Sequence, residues 1–137
     1  MRVSNDISQT GFTGWLSVNG LSEPQQAAYN KIADELSQYV ASRRYLNFYI
    51  NGSARGDCHA VWSGVEPKYI IMHTQVADGY APTAINSTAT HDPSEILKIA
   101  KDLIDQHENS ELYKIYTYHK ENALFTKIKN YLKKFFS

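Results

Sequence analysis

The chain has 137 residues, 42% of them hydrophobic, with fourteen Lys and Arg against fourteen Asp and Glu, five His and one Cys. That suffices for one ordinary core and is too little for two, and a single thiol, Cys58, excludes an internal disulfide. Zero net charge argues against a general nucleic-acid binder, which carries a basic excess to displace counterions from phosphates.

The whole chain, residues 1–137, is expected to be one domain, with residues 1–20 a loosely held arm. Within the arm, 12–18 reads as a short strand that Gly14 weakens and Asn19-Gly20 ends. Ser22-Glu-Pro-Gln25 is a capping box with Pro in the first turn, so a helix should open there and run over 23–43. Tyr29, Ile32, Ala33, Leu36, Tyr39 and Val40 recur at three and four residue spacing and supply its apolar stripe. The period then changes to two. Over 45–50, Leu46, Phe48 and Ile50 take one face and Tyr45, Asn47 and Tyr49 the other. Turn residues fill 51–56, a return strand is expected at 58–62, and 68–76 is the most β-prone run in the chain. Three successive antiparallel strands are the economical reading.

Residues 77–91 follow neither period and form a candidate contact loop. Asp92-Pro-Ser-Glu95 caps a second helix, with Ile96, Ile99, Ala100, Leu103, Ile104 and His107 at helical spacing, ending near Asn109-Ser110. The β-prone run 112–118 predicts a fourth strand. Residues 123–136 close the chain as an amphipathic helix with Leu124, Phe125, Ile128, Tyr131, Leu132 and Phe135 on one side. The order α-βββ-α-β-α predicts an α+β fold, a mainly antiparallel four-stranded sheet with helices packed against it.

No stretch approaches the ~20 apolar residues of a spanning helix, and the first eight residues lack the apolar core of a signal peptide. A cytoplasmic protein is expected. The charge is balanced in total only: residues 120–137 hold five Lys against Glu121, a local +4, and residues 1–119 carry −4. Lysines beside Phe and Leu in the last helix also suit a membrane-acting effector, but the expectation is that its apolar side packs on the sheet and its lysines face solvent, with no membrane partner.

No two His residues, and no His with Cys58 beyond the adjacent Cys58-His59, have the short spacing of a metal pair, so no metal or cofactor is expected. Cys58 and its neighbour His59 point to opposite faces of a strand and cannot pair as nucleophile and base. Arg55-Gly-Asp57 and Asn51-Gly52 read as turn residues. Strand alternation places His59 and His73 near Tyr45, Asn47, Tyr49, Tyr69, Tyr116 and Tyr118, an arrangement open to acid–base catalysis in a small metal-independent ribonuclease, or to simple packing of half-exposed aromatics.

The segment Tyr29-Asn-Lys-Ile-Ala-Asp-Glu-Leu36, the Tyr-rich hairpin after it, Lys68-Tyr-Ile-Ile-Met-His73, a helix, and Leu112-Tyr-Lys-Ile-Tyr-Thr-Tyr118 resemble the YezG-type immunity proteins that neutralise bacterial polymorphic toxins. The resemblance covers residues 29–135; the chain departs from it by lacking a Trp at the end of the first helix and at the start of the last strand. It implies a cytoplasmic, non-enzymatic binding protein. The residues lean the same way, because Tyr offers large contact area at low entropic cost and the acidic body suits a basic toxin or nuclease. The expected partner-binding residues are Tyr45, Asn47, Tyr49, Asp57, His59, Glu66, Tyr69, His73, Asp78 and Tyr80.

Overall fold

A computed structural model of the protein describes residues 13–56 and 65–136. Its elements are β1 (Trp15–Asn19), α1 (Glu23–Asn30), α2 (Ala33–Ala41), β2 (Leu46–Ser53), β3 (Tyr69–Val76), β4 (Ala84–Thr88), α3 (Pro93–Glu108) and α4 (Glu111–Phe136). The fold is α+β with a four-stranded sheet ordered β1-β2-β3-β4.

The capping box forms as its residues dictate. Ser22 Oγ accepts the Gln25 N–H at 3.3 Å and Gln25 Oε1 accepts the Ser22 N–H at 3.0 Å, so two orphan donors are satisfied reciprocally. The expected 23–43 helix is interrupted at Lys31-Ile32, where the Lys31 N–H donates to the Ala28 carbonyl at 3.3 Å and the Ile32 N–H to the Tyr29 carbonyl at 2.9 Å in a tightened last turn. The break leaves the apolar stripe intact, since Tyr29, Ile32, Ala33, Leu36 and Val40 are all buried.

This α1–α2 crossover explains why the sheet is mixed rather than mainly antiparallel. A chain that leaves β1, crosses one face through helices and returns at the same end must run parallel to its starting strand. Accordingly β1 pairs in parallel with β2, Trp15 opposite Asn47 and Val18 opposite Ile50, while β2–β3 and β3–β4 are antiparallel.

Two further expectations are corrected. The 77–91 loop contains the edge strand β4, which forms with almost no apolar alternation because its backbone pairs with β3 from Ala84–Thr74 to Thr88–Ile70. The predicted fourth strand at 112–118 is helical, the first turns of a 26-residue α4 that continues unbroken through 123–136. Ser110 caps it, its Oγ accepting the Tyr113 N–H at 3.2 Å, and no Gly or Pro follows to stop it. Helix continuity overrides the β-propensity of the Tyr-rich run. The expected return strand at 58–62 lies outside the described residues.

Alternation puts Leu16, Leu46, Phe48, Ile50, Ile70, Met72 and Ala84 on one sheet face, where they form a single core with Tyr29, Leu36, Val40, Ile96, Ala100, Leu103 and Ile104 of α1 to α3. Between α2 and α3 a 2.7 Å Lys101–Glu35 pair and a 3.6 Å Arg43–Glu108 pair sit at the rim and add little beside this burial. The α3 cap is directly testable: Asp92 Oδ1 accepts the Ser94 N–H at 3.0 Å ahead of Pro93, so Asp92→Ala should cost about 1 kcal/mol in urea unfolding, and Asp92→Ser should restore most of it.

Candidate functional site

The second sheet face carries Trp15, Ser17, Asn47, Tyr49, Tyr69, Ile71, His73, Gln75 and Ile85. Register alone aligns Ser17, Tyr49, His73 and Ile85 in one row across the four strands. Tyr49 stacks on His73, centroids 4.7 Å apart and planes 15° apart, and meets Trp15 edge-on at 5.5 Å. Burial raises the Tyr49 hydroxyl pKa, and a hydrogen bond from Asn47 opposes the shift. Gln75 Nε2 lies 3.3 Å from His73 Nε2.

The sequence-derived site therefore divides. Asn47, Tyr49, Tyr69 and His73 share this face as alternation predicts, with Asn47 and His73 buried and the two tyrosines half-buried. Tyr116 and Tyr118, expected beside them, stand on α4 instead. Tyr45 is buried before β2 begins, while Asp78 and Tyr80 are exposed beyond the end of β3. Glu66 is exposed at the other end of β3, an eight-residue strand roughly 25 Å long, so it cannot share a contact with Asp78. Asp57 and His59 lie outside the described residues.

At the Tyr45–Asp78 end the backbone is unusual. Both residues have positive φ, 61° and 66°, and the Ala77 N–H donates to the Tyr45 carbonyl at 3.2 Å, so they flank the last rung of β2 and β3. A side-chain-bearing residue in this region costs of order 1 kcal/mol and persists only where its surroundings over-determine it. Here α4 supplies those surroundings. The Tyr116 ring packs edge-on against Tyr45 at 5.3 Å, its hydroxyl donates to Asp78 Oδ2 at 3.0 Å, and Lys120 lies 3.8 Å from the same oxygen. Burial, then the Asp78 carboxylate, push the Tyr116 pKa up to about 12, so it remains a hydrogen-bond donor. Arg44 reaches Glu121 at 3.2 Å, one turn further along.

Beneath this corner His107, the last buried residue of α3, is fully enclosed. Its Nδ1 lies 2.6 Å from Thr83 Oγ1, which in turn lies 2.8 Å from Thr74 Oγ1 and 3.1 Å from the Thr74 carbonyl oxygen. Tyr113 of α4 packs on the ring at 4.6 Å, and burial raises its own hydroxyl pKa. Desolvation lowers the His107 pKa to about 4; the Tyr45 carbonyl opposes the shift only in part. The ring thus links the end of α3 to the turn before β4 and to the start of α4.

Past the corner, α4 leaves the body: residues 121–134 are all exposed. At 100° per residue its apolar side chains form two stripes, turned by roughly 150° from each other. The first half presents Leu112, Ile115, Tyr116, His119, Lys120 and Ala123 along one open, largely apolar face. The second half exposes Leu124, Phe125, Ile128, Tyr131 and Leu132, so the expectation that this face packs on the sheet is not met. Reading 112–118 as a strand concealed the first stripe; the cap at Ser110-Glu111 and the lack of any later Gly or Pro were the available signals.

Among the described residues no group of three or more His, Cys, Asp or Glu could hold a metal, and no helix is long and apolar enough to cross a membrane. Comparison with protein-family models, curated proteins and solved structures returned no match.

Proposed function

We propose that the protein is a non-enzymatic binding protein of the inhibitor or immunity type, which neutralises a toxin or nuclease by docking it at the Tyr45–Asp78 end of the sheet. The observation that carries this reading is the largely apolar face on the first half of α4, held to the body by Tyr116 and Lys120 through Asp78. It offers an exposed apolar surface to the partner, and Tyr80, fully exposed two residues beyond Asp78, offers an aromatic anchor at the same end of β3. The −4 charge of residues 1–119 favours a basic partner. Two of the described histidines are withdrawn from solvent, which favours binding over turnover at these positions: His107 is enclosed and His73 is buried against Tyr49.

Purification from the native host should yield a stoichiometric protein partner, and Leu112→Glu with Ile115→Glu should weaken that complex at least about tenfold without changing the circular dichroism spectrum. Retention of full affinity by this double variant would remove this face of α4 from the interface. Cleavage of total tRNA by the pure protein, lost in His73→Ala, would overturn the binding reading in favour of a ribonuclease.

A further inference from the structure

The second half of α4 exposes an apolar surface beyond the point where the helix meets the described body. Phe125 is 67% exposed, Tyr131 61%, Ile128 50% and Leu132 47%. Leaving such side chains in water forfeits the free energy of burying them, and a contiguous patch of them marks a contact surface.

The charges around the patch indicate what covers it. With Leu124, these residues occupy an arc of roughly 120°, and lysines stand at both margins, Lys127 on one side and Lys129 on the other, with Lys133 and Lys134 completing the polar face. Long lysine stems at both margins can lie along the apolar surface while their ammonium groups rise to a plane above it. Glu121, the single acidic residue in this half, is already held by Arg44. Pairing with a second copy would bring the lysine margins of two helices together with no carboxylate to meet them. The arc is also wider than the narrow seam by which two helices zip together. A planar, anionic and apolar-backed surface satisfies both faces at once.

We infer that residues 120–136 of α4 form an interfacial anchor that lies along an anionic phospholipid surface, with Leu124, Phe125, Ile128, Tyr131 and Leu132 inserted among the acyl chains and the lysines on the headgroups. The segment is roughly 25 Å long and lies on the surface without spanning it, in keeping with the absence of a spanning helix among the described residues. The sheet end proposed to bind a protein partner uses the other stripe and the other half of the helix, so the two contacts are compatible and separable.

The test is co-sedimentation of the full chain with vesicles of phosphatidylcholine containing about one-third phosphatidylglycerol, against vesicles of phosphatidylcholine alone. Binding is expected only to the anionic vesicles at low salt. It should fall at least about thirtyfold in Lys127→Gln/Lys129→Gln/Lys133→Gln/Lys134→Gln and comparably in Phe125→Ser/Ile128→Ser, because both the charge and the apolar insertion are needed. Both sets of substitutions are on exposed positions, and an unchanged thermal transition confirms that the body is folded. Leu112→Glu/Ile115→Glu should leave vesicle binding unchanged, which separates this inference from the protein-partner reading. Equal binding to neutral vesicles, no binding to either, or a concentration-dependent dimer abolished by Phe125→Ser/Ile128→Ser would overturn it.

Discussion

Acidification should destabilise the protein by about 3 kcal/mol between pH 6.5 and pH 4 through His107 alone. The sign follows from the two ends of the folding equilibrium. In the unfolded chain the imidazole takes up a proton near its ordinary pKa of 6.5; in the folded protein desolvation holds uptake off until about 4. Above 6.5 both states are neutral and the group has no effect on pH dependence. Below 6.5 the unfolded state gains a proton that the native state refuses, so stability declines at about 1.4 kcal/mol per pH unit until the folded pKa is reached. The Asn variant isolates this contribution, because Oδ1 and Nδ2 of Asn can stand near Nδ1 and keep a partner for Thr83 while carrying no titrating group. His107→Asn should be less stable than the parent at neutral pH, through the lost ring contacts with Tyr113, yet show a shallower decline on acidification. Urea unfolding at half-unit steps of pH checks both. Parallel stability curves for the two proteins would show that His107 is protonated in the folded state.

The position of His107 was legible in the sequence, at the end of a helical stripe that began at Ile96; its partner was not. Thr83 sits in a segment whose residues carry no period, and it meets His107 only because β4 forms on the edge of β3 and brings the preceding turn back over the end of α3. The same distinction holds elsewhere. Caps and periodic stripes are local, and they placed α1, α2, β2, β3 and α3 close to their observed positions. The direction of β1 depends on where the chain returns after α2, which no residue of β1 encodes. The site divides along the same line: alternation put Asn47, Tyr49, Tyr69 and His73 on one face, while the approach of Tyr116 to Asp78 spans 38 residues and required knowing that 112–118 is helical. The two apolar stripes of α4 point in different directions, so a window spanning both shows no single face, and each half resembled a separate element.

Gly14→Ala should cost about 3 kcal/mol or more, although glycine at this position looks from the sequence like a weakness in the first strand. A Cβ added there would stand 1.9 Å from the Val40 carbonyl oxygen and 2.8 Å from its carbon. Neither atom can move cheaply. Val40 lies in the last turn of α2 and its side chain is buried in the core, so backing away would lift α2 from β1. The far end of the same strand is equally close-fitting, since a Cβ on Gly52 of β2 would meet the Gly20 carbonyl oxygen at 2.1 Å. β1 is thus seated between two backbone contacts that only glycine permits, and it is an edge strand with no second neighbour to hold it. Gly52→Ala should accordingly be as damaging as Gly14→Ala, while Asn86→Ala on the exposed opposite edge should shift stability by no more than about 0.5 kcal/mol. Amide hydrogen exchange gives the more specific readout. In Gly14→Ala, protection should fall first in β1 and at the β1-facing groups of β2, with the β3–β4 ladder unaffected until global unfolding. A uniform loss of protection across all four strands would show instead that the β1–α2 contact is part of the single cooperative unit.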